Sequence, residues 1–322
     1  MANTTIKGIH HVTAMTSSAE KNYEFFTKIL GIRLVKKTVN QDDIQTYHTY
    51  FADDVAAPGT DMTFFDFPDI PKGKKGNNSI SRTSFRVPSD KALDYWVARF
   101  DEHGVEHGEI ETAFGKKIVK FIDFDEQNYQ LISDENNKGV EAGIPWQRGP
   151  VPYEYAIVGL GPVEITVSYA DTMKVWLTQV LGFRLVSQVD NRYLYETGEG
   201  GNGAQIIIVS ESEEDLPNGM QGYGEVHHVA VRVEDREALN VWIDRINHMK
   251  LPNSGYVDRY YFESLYVRIG YILFEFATDG PGFMQDEPYE TLGEILSLPP
   301  FLESQRAEIE AAVRPFDTVW KG

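Results

Sequence analysis

The stretch Leu30-Gly31-Ile32-Arg33-Leu34-Val35 returns later in the chain as Leu181-Gly182-Phe183-Arg184-Leu185-Val186. Each copy reads as the end of an amphipathic helix followed by the start of a strand, because a glycine just past the last apolar helical position is where a chain leaves an α-helix. A short strand precedes each, His11-Val12-Thr13-Ala14 in the first copy and Glu164-Ile165-Thr166-Val167 in the second. A second pair also matches. Arg86-Val87-Pro88-Ser89-Asp90-Lys91-Ala92-Leu93-Asp94-Tyr95-Trp96 resembles Arg232-Val233-Glu234-Asp235-Arg236-Glu237-Ala238-Leu239-Asn240-Val241-Trp242. Internal repetition of this kind points to an architecture built from copies of one supersecondary unit.

Working outward, the chain contains four units with the same order: a strand, a helix, then two or three strands. Small polar residues start the helices, namely Ser17 or Ser18, Ser89, Asp171 and Asp235; Ser17 with Glu20 has the form of a capping box. Gly31, Gly104 and Gly182 stand where the helices should end. The last strands fall at residues 62–67, 129–132, 205–209 and 272–276. The expected fold is therefore α+β: four βαβββ modules in two tandem halves, with curved mixed sheets around a shared cleft and a C-terminal helical tail. The Gly- and Pro-rich residues 136–155 read as the join between halves. The expected divisions are residues 1–140 (modules one and two), a linker at 141–157, residues 158–284 (modules three and four), and a tail at 285–322 with a helix at 303–313. The tail is expected to pack across the halves or to form a dimer contact.

Composition narrows the function. The 322 residues carry 30 Lys+Arg against 49 Asp+Glu, a net charge of −19. That balance argues against nucleic-acid binding, whose affinity comes from cations neutralising phosphates, and against docking on anionic lipid. With 42% apolar and 25% charged residues, the chain has an ordinary globular balance. It has no cysteine, so any metal must be held by His, Asp or Glu. No signal peptide or membrane span is evident in the sequence, and the expected location is the cytoplasm.

Two histidine pairs stand out, His10-His11 and His227-His228, each at the start of a unit's first strand; they hold four of the eight histidines. Neighbouring strand residues point to opposite faces. Val229, Val231 and Val233 form one apolar row, as do Val12 and Ala14, so alternation puts His11 and His228 on the polar, concave side. The same rule sets His10 and His227 on the opposite face or at the strand edge. Glu275 lies between Phe274 and Phe276 on a strand that otherwise reads as buried. A buried carboxylate is costly unless it is paired or bound to metal. Two imidazoles and one carboxylate fit either the facial triad of non-haem Fe(II) oxygenases or a catalytic zinc site with one open position. Asp66, aligned here with Glu275, would be a fourth ligand. Units two and three offer Arg82 with Gln130, and Glu164 with an aliphatic strand, which make no ligand set. One metal site between units one and four is the economical reading.

These segments resemble the vicinal oxygen chelate superfamily, also called the glyoxalase/bleomycin-resistance/dioxygenase group. The chain looks most like its hydroquinone-specific ring-cleaving dioxygenases. The likeness rests on Gly8-Ile9-His10-His11-Val12-Thr13, on Leu34 to Asp43, on Glu225-Val226-His227-His228-Val229-Ala230, on Asp258-Arg259-Tyr260-Tyr261-Phe262, and on Leu273 through Phe283. It implies Fe(II), or Mn(II), on His11, His228 and Glu275. It further implies supporting roles for His10, Thr13, His227, Arg259 and Tyr266. The substrate would be a small hydroquinone- or catechol-type diol, cleaved with O2. Thr38, His227 and Tyr266 could exchange hydrogen bonds or protons with it, and Arg259 could hold developing negative charge. A pKa near 6.5 would suit His227 to a shuttle role. Two alternatives stand beside this reading. One is a glyoxalase- or epimerase-type lyase with Asp66 as the extra ligand. The other is a module that only sequesters aromatic compounds. A homodimer is expected, as closed two-fold pairs are the commonest oligomers.

Overall fold

The computed structural model describes residues 4–322. Unit one runs β1 (Ile9–Met15), α1 (Ala19–Glu24, continued by a π-turn at Phe25–Ile29), β2 (Arg33–Asn40), β3 (Asp43–Ala52) and β4 (Asp61–Phe65). Unit two runs β5 (Ser79–Val87), α2 (Asp90–His103), β6 (Glu111–Ala113), β7 (Lys116–Ile122) and β8 (Asn128–Ser133). Unit three runs β9 (Leu160–Val167), α3 (Ala170–Val175, continued by a π-turn at Trp176–Val180), β10 (Arg184–Val189), β11 (Arg192–Glu196) and β12 (Gln205–Ser210). Unit four runs β13 (Val226–Val233), α4 (Arg236–His248), β14 (Val257–Asp258), β15 (Phe262–Ile269) and β16 (Ile272–Pro281). In the tail lies α5 (Arg306–Ala312). Each unit has the βαβββ order.

The repeated leucine-glycine step has a local cause. α1 and α3 both widen into a π-turn, with Leu30 N–H bonded to the Phe25 carbonyl and Leu181 N–H to that of Trp176. Gly31 and Gly182 then turn the chain at φ 66° and 78°, in the left-handed region that glycine tolerates. Ser89 and Asp235 cap α2 and α4 through the amides of Ala92 and Ala238. Of the two candidates for the α1 cap, Ser18 serves, accepting from the Lys21 amide; the Ser17 hydroxyl is taken by Asp125, so the Ser17–Glu20 capping box does not form, and the α3 cap also differs. Asp171 lies in the first turn of α3, whose N-cap is Tyr169. α2 buries Ala92, Leu93, Trp96 and Phe100, and α4 buries the matching Ala238, Leu239, Trp242 and Ile246.

The strands form two eight-stranded sheets, ordered β14-β15-β16-β13-β1-β4-β3-β2 and β10-β11-β12-β9-β5-β8-β7-β6. Units one and four, the two ends of the chain, thus share one sheet; units two and three share the other. The helix-bearing faces of both sheets contribute to one apolar core. Within it Phe26 of α1 touches Phe51 and Phe64 of unit one and Phe85 and Tyr129 of unit two.

The tail lies on unit one. Leu298, Leu302, Ile309 and Val313 pack on Ala19, Val39 and Tyr47, and the Ser297 amide bonds to the Lys37 carbonyl, so the tail covers edge strand β2. Lys36, fully buried, reaches Asp286 at 2.6 Å and also pairs with Glu287. Among the described residues no helix is long and apolar enough to cross a membrane.

Candidate metal centre

At the seam of the first sheet, β1 and β13 run antiparallel with two irregularities. Ile9 faces Val231 and His11 faces Ala230, so β1 carries one extra residue, His10. Thr13 faces His228 and Ala14 faces Val226, so β13 carries one extra residue, His227. Each is a β-bulge, which breaks strict alternation and re-aims the neighbouring side chain. This corrects the placing of His10 and His227 on the far face. Each instead lies against the ring of the histidine that follows it, with Nδ1–Nδ1 distances of 2.9 Å for His10–His11 and 2.8 Å for His227–His228.

The bulges also set the tautomers. His10 Nε2 lies 3.0 Å from the Thr278 carbonyl, which can only accept, so that nitrogen carries the hydrogen. Burial, then the neighbouring His11, brings the His10 pKa down to about 3, so the ring is neutral and Nδ1 is bare. His11 must therefore donate from Nδ1, which leaves its Nε2 lone pair facing the centre. In unit four the matching Nδ1–Nδ1 contact would have a ligating His228 donate to His227 Nδ1, which would put the His227 hydrogen on Nε2. Burial and His228 bring His227 down to about 3 as well, below the ordinary imidazole value expected for it.

Three atoms converge. Glu275 Oε2 is 3.0 Å from His11 Nε2 and 2.9 Å from His228 Nε2, and the two nitrogens are 3.3 Å apart. All three side chains are buried, and they are the one such His/Asp/Glu cluster among the described residues. Oε1 accepts from Ser264 Oγ at 2.6 Å, but Oε2 has no hydrogen-bond partner. A buried carboxylate oxygen without a donor, facing two bare ring nitrogens, fits a divalent cation and little else.

Asp66 is elsewhere. It accepts from the Tyr47 amide at 2.7 Å, and burial raises its carboxyl to about 6. The register gives a different counterpart for Glu275. Glu275 pairs with Ala230, two residues past His228, and Thr63 pairs with Thr13, two residues past His11. Thr63 therefore occupies the fourth ligand position. Its hydroxyl is engaged with Thr13 Oγ1 at 2.8 Å and His48 Nε2 at 2.9 Å.

The three donors open onto a cavity of about 410 Å³. Phe65, Phe67, Phe262 and Leu273 line it with apolar surface; Thr38, His48, His227, Arg259 and Tyr266 add polar groups. The Thr38 hydroxyl is buried without a partner. Arg259 donates from Nε to the Tyr266 hydroxyl at 3.2 Å and pairs with Asp42 at 2.9 Å. Gln41 Nε2 reaches the Arg259 carbonyl at 2.8 Å, so the β2–β3 hairpin meets unit four beside the cavity. Thr13 lies beside the converging atoms, with Oγ1 3.0 Å from His228 Nε2.

Apart from Asp66, every site residue singled out in the sequence lines this cavity or contacts a residue that does. Sequence reasoning missed His48, Tyr50, Thr63 and Ser264. His48, driven well below its ordinary pKa chiefly by burial, bonds through Nδ1 to the Tyr50 hydroxyl at 2.8 Å. Its alternation with Tyr50 along β3 was legible; its neighbours across the sheet were not.

Residues 8–131 and 159–284 match the family described as the Glyoxalase/Bleomycin resistance protein/Dioxygenase superfamily. A Bacillus subtilis (strain 168) protein named "Putative ring-cleaving dioxygenase MhqA" is 46% identical over 316 residues, covering 96% of this chain and 99% of that one. A Sphingobium indicum protein named chlorohydroquinone/hydroquinone 1,2-dioxygenase is 31% identical over 312 residues, 94% of this chain and 95% of its own. A crystal structure titled as a "putative dioxygenase" from Bacillus subtilis superposes with a TM-score of 0.89 at 34% identity, covering 98% of this chain and 99% of that one. Glyoxalase I from Zea mays shares the fold, with a TM-score of 0.59 at 11% identity over 84% of this chain and 92% of that one.

Proposed function

The chain belongs to the glyoxalase/bleomycin resistance protein/dioxygenase superfamily and is an enzyme of the dioxygenase type, and on that premise we propose that it cleaves the ring of hydroquinone- or catechol-type diols with O2, using Fe(II) held by His11, His228 and Glu275. The observation that carries this reading is the ligand count. Three donors converge, and the fourth position is a threonine hydroxyl already bonded to Thr13 and His48. Three ligands leave room for both a phenol oxygen and dioxygen. A four-ligand lyase site would need a carboxylate where Thr63 stands, and Asp66 is tied to a backbone amide instead.

Bound Fe(II) would supply a Lewis acid for a phenol oxygen and a one-electron relay, which triplet O2 needs in order to react with a singlet ring. The remaining work falls to side chains. His10 and His227 hold the ligand imidazoles in one tautomer and one orientation. Phe65, Phe67, Phe262 and Leu273 seat an aromatic ring and exclude water. The His227 Nε2–H, the Thr38 hydroxyl and the Tyr266 hydroxyl offer hydrogen bonds to diol oxygens. Arg259 is close to neutralised by Asp42 and bonded to Tyr266, so its charge acts on the substrate through the Tyr266 hydroxyl.

The test is oxygen uptake by protein loaded anaerobically with Fe(II), on adding methylhydroquinone or catechol. The parent consumes O2 in proportion to diol. His11→Ala and Glu275→Ala consume none above the background without protein. Equal uptake by parent and variants would overturn the proposal.

A further inference from the structure

The second sheet repeats the seam of the first. β5 and β9 run antiparallel with the same two irregularities: Ile80 faces Ile165 and Arg82 faces Glu164, then Thr83 faces Val163 and Phe85 faces Leu160. Ser81 and Gly161 thus stand where His10 and His227 stand in the first sheet. The positions matching His11 and His228 are Arg82 and Pro162. Gln130 pairs with Ser84 as Thr63 pairs with Thr13, and Ile207 pairs with Glu164 as Glu275 pairs with Ala230. Pro162, not Glu164, is therefore the counterpart of His228. This cleft has the frame of a metal site and none of its ligands.

It has not filled in. A cavity of about 180 Å³ remains there, and Gln130, Pro162 and Ile207 all line it. Phe114, Ile118 and Leu194 add apolar wall, and Lys116, Asn137, Asn202 and Gln205 add a polar side. One polar atom is unsatisfied. Gln130 is buried, and its Oε1 has no hydrogen-bond partner. The orientation of this amide is determined by its neighbours. The Ser84 hydroxyl spends its one hydrogen on the Pro162 carbonyl, so Ser84 Oγ can only accept from Gln130, and Gln130 Nε2 donates to it at 2.8 Å. The free atom is therefore an acceptor, and it calls for a donor. Lys116, which also lines the cavity, already donates to the Glu135 carbonyl at 3.0 Å.

We propose that this second cleft is a binding site for an uncharged single-ring phenol, whose ring lies against the apolar wall of Phe114, Leu194 and Ile207 and whose hydroxyl donates to Gln130 Oε1. The site needs no metal and is independent of the chemistry assigned to the first cavity.

The experiment is titration of the metal-free full chain with 3-fluorophenol, followed by fluorine NMR. Ile207→Trp, which fills the cavity, should remove one binding event per chain. Gln130→Leu should weaken that same event about tenfold, the net worth of one hydrogen bond. Fluorobenzene, which has no hydroxyl to donate, should bind the parent and Gln130→Leu within twofold of each other. The event should persist in Glu275→Gln, which separates its failure from failure of the metal-site reading. If Ile207→Trp does not fold, as judged by circular dichroism, Leu194→Trp fills the cavity from the next strand. Equal binding by the parent and a folded cavity-filling variant overturns the proposal. So does 3-fluorophenol binding that is unchanged in Gln130→Leu.

Discussion

His10 takes no direct part in the proposed reaction and His227 offers it only a hydrogen bond, yet each stands against the Nδ1 of the ligand histidine that follows it. Each sits neutral in a place where charging it is unfavourable, with its pKa brought down to about 3 by burial and by the adjacent histidine. An unfolded chain leaves both near 6.5. Below that pH the unfolded state takes up protons that the folded state refuses, so stability is complete above about 6.5 and falls progressively towards pH 3. The metal-free protein should show a falling urea midpoint between pH 7 and pH 4. His10→Asn should flatten that slope by about 1 to 3 kcal/mol across the window, since one pKa unit is about 1.4 kcal/mol. A slope identical in parent and variant would show that His10 is not held neutral in the fold.

The elements work by small departures from regularity. In a regular β1, His11 would lack the imidazole behind it; the bulge adds a residue without moving the faces, since Ile9 and Val12 stay in the core and His11 stays at the centre. Deleting His10 should therefore leave a folded protein whose divalent-metal affinity drops about 10- to 100-fold, the usual cost of losing the partner behind a ligand. Isothermal titration with Mn(II) measures it; an unchanged affinity would deny the bulge its role. The tail is a different kind of element. It covers edge strand β2 and anchors two acids on Lys36, itself fully buried. Lys36→Met strands Glu287 in the interior without its cation, and should cost about 3–5 kcal/mol in denaturant unfolding. Lys36→Met with Glu287→Gln should recover part of that loss. A single variant as stable as the parent would mean that the tail does not depend on this pair.

On the scale of the whole molecule, the ligands come from the two ends of the chain. His11 is in unit one, and His228 and Glu275 are in unit four, whose strands pair with those of unit one across β1 and β13. Residues 1–140 and 158–322, produced as separate fragments, should each fail to bind metal in equilibrium dialysis with Mn(II), and tight binding by either alone would contradict the shared site. The repeated units, the helix stops at Gly31 and Gly182, and the candidacy of His11, His228 and Glu275 were legible in the sequence. They follow from local rules: strand and helix periods, glycine at positive φ, and the cost of burying a lone carboxylate. What only the tertiary structure decided depends on register. A one-residue bulge moves a side chain to the other face without altering composition or period, so alternation misplaced His10 and His227. Equivalent positions in different units are set by cross-strand pairing, so it took β1–β4 and β13–β16 to show Thr63, and not Asp66, as the counterpart of Glu275. The joining of units one and four into a single sheet is likewise a choice among pairings that the strand sequences leave open, because each unit alone exposes a sheet edge that more than one partner could cover.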